Sequence, residues 1–175
     1  MADAGDLSLD YLPIAEHGLV GDLHTVALVG TTGTIDWYCC PTFDSPSVFG
    51  SILDAENGGY YALRPDCPDW SSKQLYFPDT NILITRFFTS SGVGEVQDFM
   101  PIESGDGMHR HRLIRRVVVV RGHVPFMIEL QPRFDYGRAD HEVEMHPHSV
   151  LFRSPVLTLA FEGAIAHALG HQRRA

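Results

Sequence analysis

Short runs of β-branched and aromatic residues, each closed by Gly, Pro, Asn, Asp or Ser, follow one another along most of the chain. That punctuation leaves little room for helices of ordinary length and favours strands joined by tight turns. His24–Val29 and Thr34–Cys39 flank Gly30-Thr-Thr-Gly33, which predicts a hairpin. Gly59–Leu63 reads as a short aromatic strand. Three more pairs predict hairpins: Asn81–Thr89 with Glu95–Met100 around Ser90–Gly94, Leu113–Arg121 with Val124–Leu130 around Gly122-His123, and Val150–Arg153 with Val156–Phe161 around Ser154-Pro155. Turns at this spacing predict an all-β fold, an antiparallel two-sheet β-sandwich. Within it, Val117–Val120 is expected to form a strand buried on both faces. Helical signals are confined to Ser47–Glu56, about two turns long by its length, and to Gly163–Leu169.

The chain is 175 residues long, enough for one domain with its own core, and carries no internal repeat or low-complexity linker. Residues 11–162 are therefore expected to be that domain, after a flexible acidic start at 1–10. Beyond Phe161 the strand pattern stops, and 163–175 reads as an irregular tail or a truncated end. A formal net charge of −9 argues against nucleic-acid binding, because the surface as a whole would repel phosphate. No apolar stretch is long enough to span a bilayer, and the first residues lack the basic and apolar regions of a signal peptide. Three cysteines, two of them the neighbours Cys39 and Cys40, make no disulfide framework and fit a reducing cytoplasm.

Candidate chemistry is sparse. His141, His146 and His148 lie near Glu142 and Glu144, and His109 and His111 are placed to share a strand face, but neither group has metal-ligand spacing. Solvated loop histidines, and no metal or cofactor, are the expectation. Cys39 and Cys40 sit between an aromatic strand and Pro41 without a neighbour that would hold a thiolate, so structural roles are expected. Gly92-Val-Gly94 and Gly105-Asp-Gly107 lack a following helix and read as turns rather than phosphate loops. Asp22, Asp36, Asp44, Asp98, Glu103 and Asp135 offer carboxylates, yet no two are paired by spacing into a general acid and base. Asp44, in Phe43-Asp-Ser-Pro-Ser47, suits turn chemistry and capping of the short helix after it. Asp36, beside Trp37 on a strand, needs a partner if buried, and Arg64, Arg86 or Arg115 is expected to supply a structural ion pair.

Several segments taken together resemble one family. Pro13–Val29, and above all Gly33-Thr-Ile-Asp-Trp-Tyr-Cys-Cys-Pro-Thr-Phe-Asp-Ser-Pro-Ser-Val-Phe49, are similar to the opening of bacterial glycoside hydrolase family 15 proteins, the glucoamylase and trehalase group. Tyr76–Thr80, Val96–Pro101, Leu113–Val117 and Pro132–Gly137 continue the likeness in order, over about residues 11 to 160. The resemblance implies an N-terminal β-sandwich that precedes a catalytic (α/α) barrel acting on α-glucosidic bonds. No position of this chain matches the family's catalytic motifs, so no catalytic residue is assigned and the chain alone is expected to be inactive. The barrel is the implied partner, and Trp37, Tyr38, Phe43, Asp44 and Phe49 are candidates for the interface with it. A stand-alone carbohydrate-binding module is the competing expectation. It would bind α-glucosides by stacking on Tyr60, Tyr61, Trp70 and Tyr76, with Asp69 and Gln74 nearby.

Overall fold

The computed structural model describes residues 11–102 and 111–163, and within them the chain is almost entirely β. A single turn of 3-10 helix, Ile14–Glu16, precedes the strands. They run β1 (His17–Gly21), β2 (Val26–Gly30), β3 (Thr34–Cys39), β4 (Ser47–Phe49), β5 (Tyr60–Pro65) and β6 (Trp70–Tyr76). There follow β7 (Leu83–Thr89), β8 (Gly92–Phe99), β9 (Ile114–Gly122) and β10 (Phe126–Gln131). The last are β11 (Glu142–His146), β12 (Ser149–Arg153) and β13 (Thr158–Glu162). One sheet is ordered β1-β2-β3-β5-β10, with β4 beside β3; the second is β6-β7-β8-β9; the third is the meander β11-β12-β13. All pairings are antiparallel. The all-β expectation holds, and the third sheet is an addition to the two foreseen.

The first two sheets face each other across a core in which Val20, Val29, Ile35, Phe49 and Leu83 are almost completely buried. Phe152 of the small sheet completes the same cluster. A second cluster, Leu63, Phe87 and Val96, fills the space nearer β6 and β10, where the rings of Trp70 and Phe126 meet Phe87 edge-on at 5.2 and 5.9 Å. At the Gly30–Gly33 turn, Gly33 takes φ +80°, and a Cβ there would meet the Leu63 carbonyl at 2.3 Å. Only glycine fits so close an approach.

β3 contains a bulge that decides which side chains face out. Leu28 pairs with Trp37 and Val29 with Ile35, so Asp36 has no partner on β2. The extra residue resets the alternation. Ile35 and Tyr38, three positions apart, both enter the core, and Trp37 turns to the opposite face.

Several expectations are corrected. Ser47–Glu56 is not helical: Ser47, Val48 and Phe49 form the buried β4, and Asp54 closes the following turn by accepting the backbone N–H groups of Glu56 and Asn57. Asp44 therefore caps no helix, although it does serve a turn by accepting the Thr42 hydroxyl at 2.7 Å. Gly92 and Gly94 lie inside β8 rather than in a turn. The segments around Gly122-His123 form no hairpin, because β9 pairs with β8 and β10 with β5. Val117–Val120 belongs to an edge strand with 40–54% exposure at Val117, Val119 and Val120, not to a doubly buried one. The helix expected at Gly163–Leu169, the Gly105–Gly107 turn and His109 lie outside the described residues, apart from Gly163 itself.

Buried charge is handled by pairing. Arg115 donates to Asp98 Oδ1 at 2.8 Å, to the Tyr61 carbonyl at 2.9 Å and to the Gly33 carbonyl at 2.7 Å, with its guanidinium 4.6 Å from the Tyr61 ring centre. Arg64 pairs with Glu129 and Arg86 with Glu95. None of the three reaches Asp36, whose partner is instead His17 of the same sheet at 2.6 Å. The other ring nitrogen of His17 faces the Pro13 carbonyl at 2.9 Å and so carries a proton there. Burial raises the Asp36 carboxyl above its ordinary range, against the hydrogen bond from His17.

Asp22 shows the reverse balance. Burial raises its pKa, but the bond to His111 at 2.6 Å and the backbone N–H groups of Thr25 and His24 outweigh it, so the carboxyl lies below its usual range. A depressed carboxyl contributes stability that is present above its unfolded pKa of about 3.9 and is lost as pH falls through the native value. Asp22→Asn is accordingly expected to cost about 1–3 kcal/mol near neutrality. The gap from the parent should shrink as urea melts are repeated below about pH 4. A gap of constant size across that range would count against the assignment.

Candidate interdomain surface

The outer face of the first sheet changes character along its width. At β5 and β10 it is polar, with Arg64 bonded to Glu129 and the Gln131 amide donating to the Tyr60 hydroxyl at 3.1 Å. Across β1, β2 and β3 it carries an apolar row beside the His17–Asp36 pair. Register places Leu19 opposite Leu28 and Leu28 opposite Trp37, and directly opposed side chains share a face. Val20, Ala27, Val29 and Tyr38, their sequence neighbours, point the other way into the core. The Trp37 ring then meets Tyr136 at 6.3 Å. Leu19 and Tyr136 are exposed, with Leu28 and Trp37 half-buried between them, so a continuous apolar row reaches solvent.

Tyr136 is held in that row by a constrained turn. Asp135, Tyr136 and Gly137 all have positive φ, of 52°, 58° and 79°. Consecutive left-handed residues, two of them not glycine, persist only where the surroundings enforce them. Here the Ser47 carbonyl accepts the Asp135 N–H at 3.0 Å, and the Ser47 hydroxyl accepts that of Tyr136 at 3.1 Å. Arg138 bonds Asp135 and lies 5.5 Å from the centre of the Tyr136 ring. The loop before β4 is a second projection: Phe43 is 69% exposed, and its backbone N–H is anchored to the His24 carbonyl at 3.0 Å.

The five interface candidates thus divide. Phe43 and Asp44 lie on the surface, and Trp37 is half-buried in the outward row. Tyr38 and Phe49 are core residues, their rings 6.2 Å apart. Leu19, Leu28 and Tyr136 were not singled out by sequence. Leu19 and Leu28 enter only through strand register, whereas Tyr136 stood in the Pro132–Gly137 motif.

The four stacking candidates do not come together. Trp70 and Tyr76 occupy opposite ends of β6, about 20 Å apart for a strand of that length. Trp70 packs on Phe87, and the Tyr76 hydroxyl is tied to the Leu19 backbone. Tyr60 faces outward from the first sheet, while Tyr61 faces inward beneath Arg115 and meets Phe161 edge-on. Gln74 is committed to the Val29 carbonyl and the Thr85 hydroxyl.

Histidine and cysteine likewise serve structure. His141 is not a solvated loop side chain: it lies between the Phe134 and Phe152 rings, where burial, and then Arg133, lowers its pKa. His146 ends a strand near Glu144, and His148 is exposed. Among the described residues no group of His, Cys, Asp and Glu converges as a metal site. Cys39 is buried and Cys40 half-buried, and burial pushes both thiols up.

A family profile described as trehalase-like, N-terminal, matches residues 8–156. The chain belongs to that family. The trehalase of Thermoplasma volcanium is 34% identical over 150 residues, covering 84% of this chain and 24% of that protein. Those of Mycolicibacterium smegmatis and Mycobacterium tuberculosis are 34% and 33% identical, covering 72% and 79% of this chain and 21% and 22% of theirs. No solved structure gives a significant match. The chain therefore spans about a quarter of the length of these relatives. Within this trehalase-like N-terminal domain, the Gly33–Phe49 and Pro132–Gly137 motifs pack on each other through Ser47, Val48 and the Trp37–Tyr136 contact. Among the described residues no helix is long and apolar enough to cross a membrane.

Proposed function

We propose that this trehalase-like domain is the non-catalytic N-terminal β-sandwich of a cytoplasmic α-glucoside hydrolase of the glycoside hydrolase family 15 type. It buttresses a catalytic (α/α) barrel, and the α-glucoside is a substrate of the whole enzyme rather than of this domain. The observation that carries the reading is the apolar row Leu19–Leu28–Trp37–Tyr136, which ends on a turn held in a strained conformation. An outward apolar row on a sheet whose other outer end is polar is suited to burial against another domain. Phe43 and Asp44 supply a second contact, and the pinned turn keeps its shape without its partner.

The isolated chain is then expected to bind an apolar dye and to self-associate with rising concentration in sedimentation runs. Leu19→Lys combined with Tyr136→Lys should reduce both effects with only a modest fall in melting temperature, because both side chains are exposed and Tyr136 loses only its ring contacts with Trp37 and Arg138. A parent chain that stays monomeric and dye-silent would defeat the docking reading. Titration with trehalose or maltose should produce no heat and no change in Trp fluorescence. A saturable signal would favour the sugar-binding module instead.

A further inference from the structure

One side of the sandwich is unfinished. β9 is the last strand of its sheet, and the backbone groups on its outer edge pair with no other strand among the described residues. Val117 lies opposite Val96 and Val119 opposite Gly94, so both share the inward face with a core residue. Yet Val117 is 40% and Val119 46% exposed. Core-directed valines this open mean that the facing layer stops short of them. That layer ends at β10, which follows β9 in the chain, and every residue of β10 is only half-buried. A long apolar edge with unpaired backbone groups is a template for another strand.

Charge narrows what fits there. The domain as a whole is strongly acidic, but β9 carries no acidic residue, and Arg116 and Arg121 bracket its valines. Both arginines are exposed, and neither forms an ion pair with a described residue. A second copy is a poor occupant. The antiparallel register that aligns the four valines with themselves sets Arg116 opposite Arg121 of the other copy, and directly opposed like charges are destabilising.

We infer that β9 accepts a further strand, apolar in its middle and bearing carboxylates toward its ends, supplied by the part of the longer hydrolase that lies beyond this domain. The inference rests on the reading that the chain is one domain of such a protein, whose relatives are about four times as long. The added strand would pair with the β9 edge, cover Val117 and Val119, and place its acids against Arg116 and Arg121.

The test uses the chain itself with labelled peptides of about ten residues, the length of a long strand. Peptides are tiled across the Thermoplasma volcanium trehalase outside the stretch this chain matches, each with a scrambled control. Fluorescence anisotropy should single out one or two acid-ended apolar peptides. Their binding should protect β9 backbone amides from hydrogen exchange. Arg116→Glu with Arg121→Glu, surface changes that leave the core intact, should weaken binding about tenfold or more. A version of the bound peptide with lysine in place of its acids should prefer that variant over the parent. The inference is overturned if no tiled peptide binds better than its scramble, if the charge reversal leaves the preference unchanged, or if β9 protection arises from dimerisation without peptide. A sugar-binding signal in the titrations above would sink the functional reading while leaving these peptide results as they stand.

Discussion

Arg115→Ala is expected to lower the unfolding free energy by about 3–5 kcal/mol, the largest loss among the charged positions. The side chains of Arg115 and Asp98 are 1% and 0% exposed, so removing the cation leaves a carboxylate with neither water nor a counter-charge. It also removes a donor from the Tyr61 carbonyl and from the Gly33 carbonyl, which keeps the Leu63 N–H. Tyr61 belongs to the first sheet, Gly33 to its β2–β3 turn and Asp98 to the second sheet, so one guanidinium ties both layers together. Arg115→Lys should recover only part of the loss, because a single ammonium does not match the fork that reaches all three partners. Replacing both residues, Arg115→Met with Asp98→Leu, should cost clearly less than either single truncation, since no unpaired charge is then buried. Urea denaturation of these three variants, together with Asp98→Leu alone, decides the matter. A loss below about 1 kcal/mol for Arg115→Ala would mean that the pair is solvated rather than buried.

Phe87→Ala is expected to cost about 3–5 kcal/mol and to broaden the unfolding transition. The ring is completely buried between the sheets, with Trp70 and Phe126 edge-on to it and Leu63 and Val96 around it. Two aromatic contacts are lost along with the transfer term, and the cavity lies where β10 leaves the core least well covered. Phe87→Leu keeps most of the volume and should cost about 1.5 kcal/mol or less. Phe88, the next residue, is 36% exposed and faces the opposite way, so Phe88→Ala serves as the control and should lose much less. Because Trp70 touches the Phe87 ring, its emission should shift to the red in Phe87→Ala before any unfolding. Equal losses at 87 and 88 would contradict the assignment of faces.

The hairpins were legible wherever a turn and both flanking strands are consecutive in space as well as in sequence, as in β2–β3, β7–β8 and β12–β13. Gly122-His123 carries the same local signal but turns a corner between sheets. There the His123 N–H bonds the Ser91 carbonyl, which holds the corner on the β7–β8 turn. Local propensity does not distinguish a reversal from a corner. The valine run failed for a related reason: apolar content shows that a strand wants cover, not that cover is present. β4 and β6 gave little warning, one being three residues long and the other rich in serine with a lysine and a glutamine. At the candidate surface Trp37, Phe43 and Asp44 stand in one contiguous motif. The bulge at Asp36, which turns Trp37 away from the face of Ile35, depends on pairing with β2 that the β3 residues do not encode. The partner of Asp36 was missed because β1, two strands away in the same sheet, supplies a histidine that sequence spacing does not bring to it.

The two sides of the sandwich differ in what they leave for a later segment. On β1, the far edge of the first sheet, the Tyr76 hydroxyl accepts the Leu19 N–H and donates to the Leu19 carbonyl, both at 2.8 Å. A side chain thus occupies the backbone groups that an incoming strand would use. Val20 of β1 shares its core with Phe134 and Phe152 from the far end of the chain, so both edges become ordered together, when the domain folds as a unit. A neighbouring segment therefore meets both edges already formed, one with its Leu19 groups occupied and the other with its ladder groups unpaired among the described residues. Of these two edges, the one at β1 is closed to strand addition at Leu19 by a side chain, so growth of the two-layer part is biased toward β9.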